Sequence, residues 1–174
     1  MGSWKIIETF LPRNSRICFL ENFTHTIDSQ RRFAIPADWR QKDGDTQFVL
    51  LPAKNRVIQA IPMKTFQDEI LVKARKMSLA DSKAMRDLMI LASRAMKCTC
   101  DKQGRIQINA KLMEHAGLTD KAVLVGSLWL IQIVSPETWD LIEAGGNDGF
   151  FDVMQRINDT PDGLAGVLKG FAQQ

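Results

Sequence analysis

The chain has 174 residues, is 45% hydrophobic and 25% charged, and carries a formal net charge of +3 at pH 7. That composition excludes a disordered chain and suits one compact domain or two small ones. No run approaches the roughly 18 consecutive apolar residues of a bilayer-spanning helix.

The first ten residues place Lys5 and Glu8 in a short apolar patch with no small-residue cleavage site behind it, which is not the pattern of a signal peptide. The expectation is a cytosolic chain that opens with an extension over residues 1–20. Cys18, Cys98 and Cys100 are an odd set with no zinc-like spacing. They read as reduced, small apolar residues, and no metal site or cofactor is expected.

From residue 21 the chain repeats itself. At an offset of 73 residues, Thr26–Phe66 aligns with Thr99–Trp139 without a gap. Identities include Thr26/Thr99, Asp28/Asp101, Gln30/Gln103, Arg32/Arg105, Ile35/Ile108, Leu51/Leu124 and Gln59/Gln132. Each copy begins with a short extended piece that ends at an Asp, followed by a turn carrying Asp-x-Gln-x-Arg. A strand with alternating apolar residues follows, Phe33 and Ile35 in one copy, Ile106 and Ile108 in the other. A short helical piece comes next, Ala37–Arg40 or Ala110–Ala116, the latter ending at Gly117 as a helix C-terminus would. Two further strands are expected at Phe48–Leu51 and Val57–Ile61, and at Ala122–Val125 and Leu130–Val134. Each copy closes at Pro62 or Pro136, where a helix begins.

The copies occupy 21–66 and 99–139, with a helical linker at 67–98 between them. Within it, Ser78 and Asp81 resemble a capping box. Met85, Leu88, Met89, Ala92 and Met96 then follow the helical period and imply core or a subunit interface. Residues 140–174 form an acidic tail, with six acids against Arg156 and Lys169. Short helices are expected near Asp148–Ile157 and Pro161–Phe171. The remainder of the chain is basic, a distribution compatible with phosphate binding.

The duplicated Asp-x-x-x-Arg is the constellation that bears on function. Arg32 and Arg105 are permanent cations whose planar forks suit phosphate oxygens or the guanine O6/N7 edge. Asp28 and Asp101 can accept hydrogen bonds from their own turns and orient the arginines. A single exposed Asp–Arg pair only braces a turn, worth ~0–1 kcal/mol. Two such turns related by a pseudo-two-fold would make a cationic ridge, with Arg31, Lys102, Arg40 and Lys111 nearby. No catalytic residue is expected. The two aspartates lack the context of an aspartic protease dyad, and no phosphate-binding glycine loop or nucleophile elbow occurs.

These same residues carry a family resemblance. The stretch from His25 to Arg40, with its Asp28, Arg32, Ile35-Pro36 and Trp39-Arg40, resembles the first signature of the MraZ family. Cys100–Leu112, with Asp101, Gly104 and Arg105, resembles the second. Ala116-Gly-Leu118, Val123–Gly126, Ile133 and Trp139 are similar to the stretch that follows it. The sequence differs at Arg31, where the family favours Gly, and at Asn109, where it favours Pro.

The resemblance implies an α+β chain of two tandem pseudo-symmetric swapped-hairpin β-barrel units of the SpoVT-AbrB type, with a helical middle segment and a helical C-terminal tail. It also implies a non-enzymatic, sequence-specific transcriptional regulator that forms a homo-oligomer, a closed ring. Its partner would be double-stranded DNA at repeated sites in the promoter of the division and cell-wall gene cluster, including its own. Carried over to this chain, the DNA contacts would be Arg32 and Arg105, flanked by Arg31, Lys102 and Gln103, with Asp28 and Asp101 orienting them. Repression in the cytoplasm, at the nucleoid, follows, with no membrane and no small-molecule substrate. The alternative is a ring-forming protein-interaction module that has lost DNA binding.

Overall fold

The computed structural model describes residues 17–145 and 149–159, so the tail helix expected at 161–171 lies outside the described residues. In the first copy the elements are β1 (Asn22–Thr26), β2 (Arg32–Ala34), a 3₁₀ turn (Ala37–Trp39), β3 (Gln47–Ala53) and β4 (Val57–Pro62). The middle segment holds α1 over residues 63–74, whose central Phe66–Leu71 is π-helical, and α2 (Ser82–Arg94). The second copy supplies β5 (Met96–Thr99), β6 (Arg105–Gln107), α3 (Ala110–Ala116), β7 (Lys121–Ser127) and β8 (Leu130–Val134). The tail contains α4 (Pro136–Gly145) and α5 (Phe150–Asp159). The protein is α+β, and every strand pairing among the described residues is antiparallel.

Local sequence explains the helix ends, with one correction. Ser78 does not cap α2. Asp81 does, its Oδ1 accepting from the amides of Lys83 and Ala84 at 3.0 Å, while Ser78 Oγ accepts from the Ala80 amide in the preceding turn. Asn109 caps α3 through the Leu112 amide at 2.9 Å. Gly117, left-handed at φ 62°, ends α3 as expected, and Leu118 N–H reaches back to the Met113 carbonyl.

The described residues up to Pro136 form one compact unit and those from Glu137 a second. In the first unit the copies do not build separate sheets. A single six-stranded sheet runs β1-β7-β8-β4-β3-β5, and β2 and β6 form a two-stranded ribbon. The first strand of each copy pairs with the third strand of the other, β1 on β7 and β5 on β3. The two self-related pairings lie on the pseudo-two-fold: Phe33 faces Ile106 in the ribbon and Gln59 faces Gln132 in the sheet, each residue opposite its own counterpart. One core, with Phe33, Ile35, Leu50, Ile58, Ile106, Ile108, Leu124, Ile131 and Ile133 at its centre, draws on both copies. In the second unit, α5 carries Phe150, Val153, Met154 and Ile157 at helical spacing, with Asp152 and Arg156 between them.

Two features of the repeat differ from the gapless alignment. Leu124 corresponds to Leu50, not Leu51: Leu50 faces Ala60 and Leu124 faces Ile133, positions equivalent in β4 and β8. The second copy has one extra residue before β7 and one fewer in the β7–β8 hairpin, so the shifts cancel and the offset of 73 reappears in β8. A one-residue slip reverses the faces of a strand, so core burial decides between the two alignments. Leu50 and Leu124 are both fully buried, whereas Leu51 is only partly so.

The other difference lies before the first copy. Phe19, expected in the extension, is 1% exposed and bridges to Leu128 through paired backbone hydrogen bonds of 2.8 and 3.0 Å. Its ring packs edge-on against Trp39 at 5.6 Å.

The register makes a direct prediction. Leu50→Ala and Leu124→Ala should each cost about 2–5 kcal/mol in urea unfolding, and Leu51→Ala clearly less. Equal costs at Leu51 and Leu124 would restore the gapless alignment.

Candidate nucleic-acid interface

The β2–β6 ribbon orders its side chains by strand alternation. Phe33 and Ile106 point into the core, so Arg32, Ala34, Arg105 and Gln107 share the outward face. Each arginine is preceded by a turn closed by an aspartate. Asp28 Oδ1 accepts from the amides of Gln30 and Arg32 at 2.9 Å, and its Oδ2 accepts from Arg32 Nε at 2.8 Å. Asp101 repeats the pattern with Gln103 N, Arg105 N and Arg105 Nε, all at 2.9 Å. The turns are the Asx type, in which a short carboxylate replaces a backbone acceptor.

The pseudo-two-fold sets the two turns side by side. Arg105 Nη1 lies 3.8 Å from Asp28 Oδ2 while its Nη2 holds Asp101 at 2.8 Å, so the second arginine bridges both turns. Gln107 Nε2 donates to the Gln30 carbonyl at 2.9 Å across the ribbon. Sequence reasoning did not single out Gln107, although its place two residues after Arg105 puts it on the same face. The Asp carboxyls lie below the usual carboxylate range, first because of the amides of Arg32 and Arg105, then through the guanidinium contacts.

Flanking residues divide by copy. Arg31 stands in the left-handed region at φ 58°, where its counterpart Gly104 has φ 75°. A non-glycine residue there costs about 1 kcal/mol. Arg31 is held by reciprocal backbone and side-chain contacts: its carbonyl accepts from Ile108 N at 3.0 Å and its Nε donates to the Ile108 carbonyl at 3.1 Å. At Gly104 a Cβ would meet the Arg40 guanidinium, the far end of a side chain that would have to move aside. Arg40 therefore lies against the second turn, as the ridge reading expected. Lys102 and Gln103 are exposed at the tip of that turn. Lys111 lines a cleft between α3 and the β3–β4 hairpin.

The thiols divide too. Burial pushes Cys98 up to about 12, reinforced by the neighbouring Cys100. Burial likewise raises Cys100 to about 11, with Arg40 pulling the other way. All three are free thiols, and Cys18 is the exposed one. Among the described residues, no His, Cys, Asp and Glu side chains converge in a way that could hold a metal ion.

Fold and turns together define a duplicated α+β protein whose halves exchange strands and present paired Asp–Arg turns on one ribbon. The profile of the family described as "MraZ protein, putative antitoxin-like" matches residues 91–159. The chain is 34% identical over 137 residues to the transcriptional regulator MraZ of Limosilactobacillus reuteri, covering 78% of this chain and 94% of that protein. It is 30% identical over 141 residues to that of Lactobacillus johnsonii, covering 81% and 97%. It is 31% identical over 142 residues to that of Desulforamulus reducens, covering 81% and 98%. The chain belongs to the MraZ family of transcriptional regulators.

Two measurements check the site chemistry. Both aspartates have a folded pKa below the unfolded one, so their contribution is complete above the ordinary carboxylate range and is lost as pH falls through the depressed values. Carboxyl NMR should find Asp28 and Asp101 ionised below the other aspartates, and Arg32→Ala should move Asp28 upward while leaving Asp101 closer to its parent value. Alkylation of the native protein at neutral pH should label Cys18 first, with Cys98 reacting only on unfolding.

Proposed function

We propose that this chain is a sequence-specific DNA-binding regulator whose β2–β6 ribbon carries the DNA-contacting face. One observation bears most of the weight: the pseudo-two-fold places Arg32 and Arg105 outward on one two-stranded ribbon, their Asx turns adjacent. A β-ribbon is narrow enough to enter a major groove, and bidentate arginines are suited to guanine edges and phosphates. Arg31, Lys102 and Gln103 flank the pair, and Asp28 and Asp101 fix its direction. In this reading the interleaved copies are two swapped-hairpin units. The protein assembles as a closed homo-oligomeric ring and occupies repeated sites in the promoter of the division and cell-wall gene cluster, its own included. Promoter occupancy represses transcription, and the protein works in the cytoplasm at the nucleoid.

A competing reading is a ring-forming interaction module without DNA binding, favoured by the partial neutralisation of the ridge. Four cations, Arg31, Arg32, Lys102 and Arg105, face two carboxylates, so half of their charge remains. Asp28 meets Arg32 at its inner Nε, whereas Arg105 also turns its terminal nitrogens toward both aspartates. The charge that remains, fixed on one outward face, favours the DNA reading.

The test is Arg32→Ala/Arg105→Ala, checked first for parental melting and subunit number. Each lost phosphate contact should reduce the salt slope of binding by about one. Each lost guanine contact should cost about 1–3 kcal/mol on the promoter site and far less on random DNA. A folded, assembled double variant that binds the upstream DNA as tightly as the parent would reduce the turns to structural devices. Light scattering of the parent at micromolar concentration should show several subunits per particle, and a 19.6 kDa monomer would remove the ring.

A further inference from the structure

The copies differ where the β3–β4 hairpin meets the end of α2. A cleft of about 660 Å³ opens there between the β3–β4 hairpin, the C-terminus of α2 and the first turn of α3. Its size falls in the usual range for small-ligand pockets, about 300–1,000 Å³.

Pseudo-symmetry explains why this cleft exists. The counterpart of Pro52 is Gly126, where the chain at Phe19–Glu21 closes over the second hairpin. Gly126 N–H donates to the Glu21 carbonyl at 2.8 Å, and a Cβ at Gly126 would collide with the Phe19 carbonyl. Pro52 has neither the amide nor the room, so the equivalent closure by Ala92–Arg94 cannot form. That segment instead stays in α2, which ends at Arg94 with the Ala95 amide bonded to the Leu91 carbonyl at 3.1 Å. The space filled in one copy is left open in the other.

The open cleft has also acquired charge. Lys54, Arg94 and Lys111 line it, no carboxylate does, and none of the three forms an ion pair with a described acid. Around the closed twin, the counterpart of Lys54 is the uncharged Leu128, while those of Arg94 and Lys111 are the acids Glu21 and Asp38. Asn109 uses its Oδ1 on the α3 amide at Leu112, leaving its NH₂ as a donor. His115 Nε2 lies 2.8 Å and 3.1 Å from the carbonyls of Ala53 and Val57, so that nitrogen carries the proton and ties α3 to the hairpin. Leu112, with Pro52 and Ala95, gives the cleft an apolar wall.

We propose that this cleft binds a small organic anion with two or more phosphate groups, of the size of a nucleoside diphosphate. The phosphates sit among Lys54, Arg94 and Lys111, with the Asn109 amide donating, and the organic body lies on the apolar wall. The site is separate in its residues from the Arg32–Arg105 ribbon. It is linked to the ribbon through Ile108, which precedes Asn109 and holds both the backbone and side chain of Arg31.

The experiment is calorimetric titration of the full-length protein with inorganic pyrophosphate and with ADP, without DNA. Both should bind, and ADP more tightly because of its body. Lys54→Gln/Lys111→Gln, with parental melting, should weaken both by about tenfold or more. Arg32→Ala/Arg105→Ala should leave them unchanged, so failure here and failure of the DNA reading are told apart. Absence of binding at about 1 mM of either anion overturns the proposal. So does equal binding by the Gln variant, or a Gln variant that loses only DNA affinity, which would assign the cleft to the DNA path.

Discussion

Everything in the first unit depends on one antiparallel constraint: each copy of the repeat pairs with its own counterpart at two places. Phe33 against Ile106 and Gln59 against Gln132 set a pseudo-two-fold through the ribbon and the sheet. Beyond those pairs the copies exchange their outer strands, β1 lying on β7 and β5 on β3. Neither copy of roughly forty residues could bury a core of its own. The exchange solves this by placing Leu50 and Leu124 in a common interior, so the two copies share one core.

The same constraint makes the surface that faces outward. The alternation that buries Phe33 and Ile106 compels Arg32 and Arg105 to the opposite face. The aspartates then limit what the arginines can do. By accepting two amides and an Nε each, they hold the turns rigid and fix both guanidiniums, that of Arg105 through its terminal nitrogens as well. Preorganised donors lose less conformational entropy on binding than free side chains do. The cost is local charge neutralisation, which makes geometry, more than bulk charge, the source of any selectivity.

Perfect symmetry would give the two copies equal roles, and the structure departs from it at a few positions with clear physical consequences. Arg31 accepts a left-handed backbone where Gly104 needs none of its bracing, and gains a bond to Ile108. Gly126 admits the Phe19 segment, whereas Pro52 refuses its equivalent and leaves a basic cleft. Divergence after duplication has thus kept the ribbon paired while separating the two ends of the sheet.

What the sequence by itself determined was local. The repeat, the Asp-x-Gln-x-Arg turns, the alternating strands, Gly117 and the helix starts at Pro62 and Pro136 depend on residues within a few positions of one another. Backbone and side-chain preferences therefore wrote them legibly. The candidate arginines were legible for the same reason, since a doubled motif marks itself. Only the tertiary structure decided which copy pairs with which, because strand partners are chosen by burial across distant segments. It alone moved Leu124 from Leu51 to Leu50, since compensating one-residue shifts cancel in an alignment but reverse a side chain's face in a sheet. It alone brought Phe19 into the core and Gln107 to Gln30, contacts spanning 109 and 77 residues that no periodicity encodes.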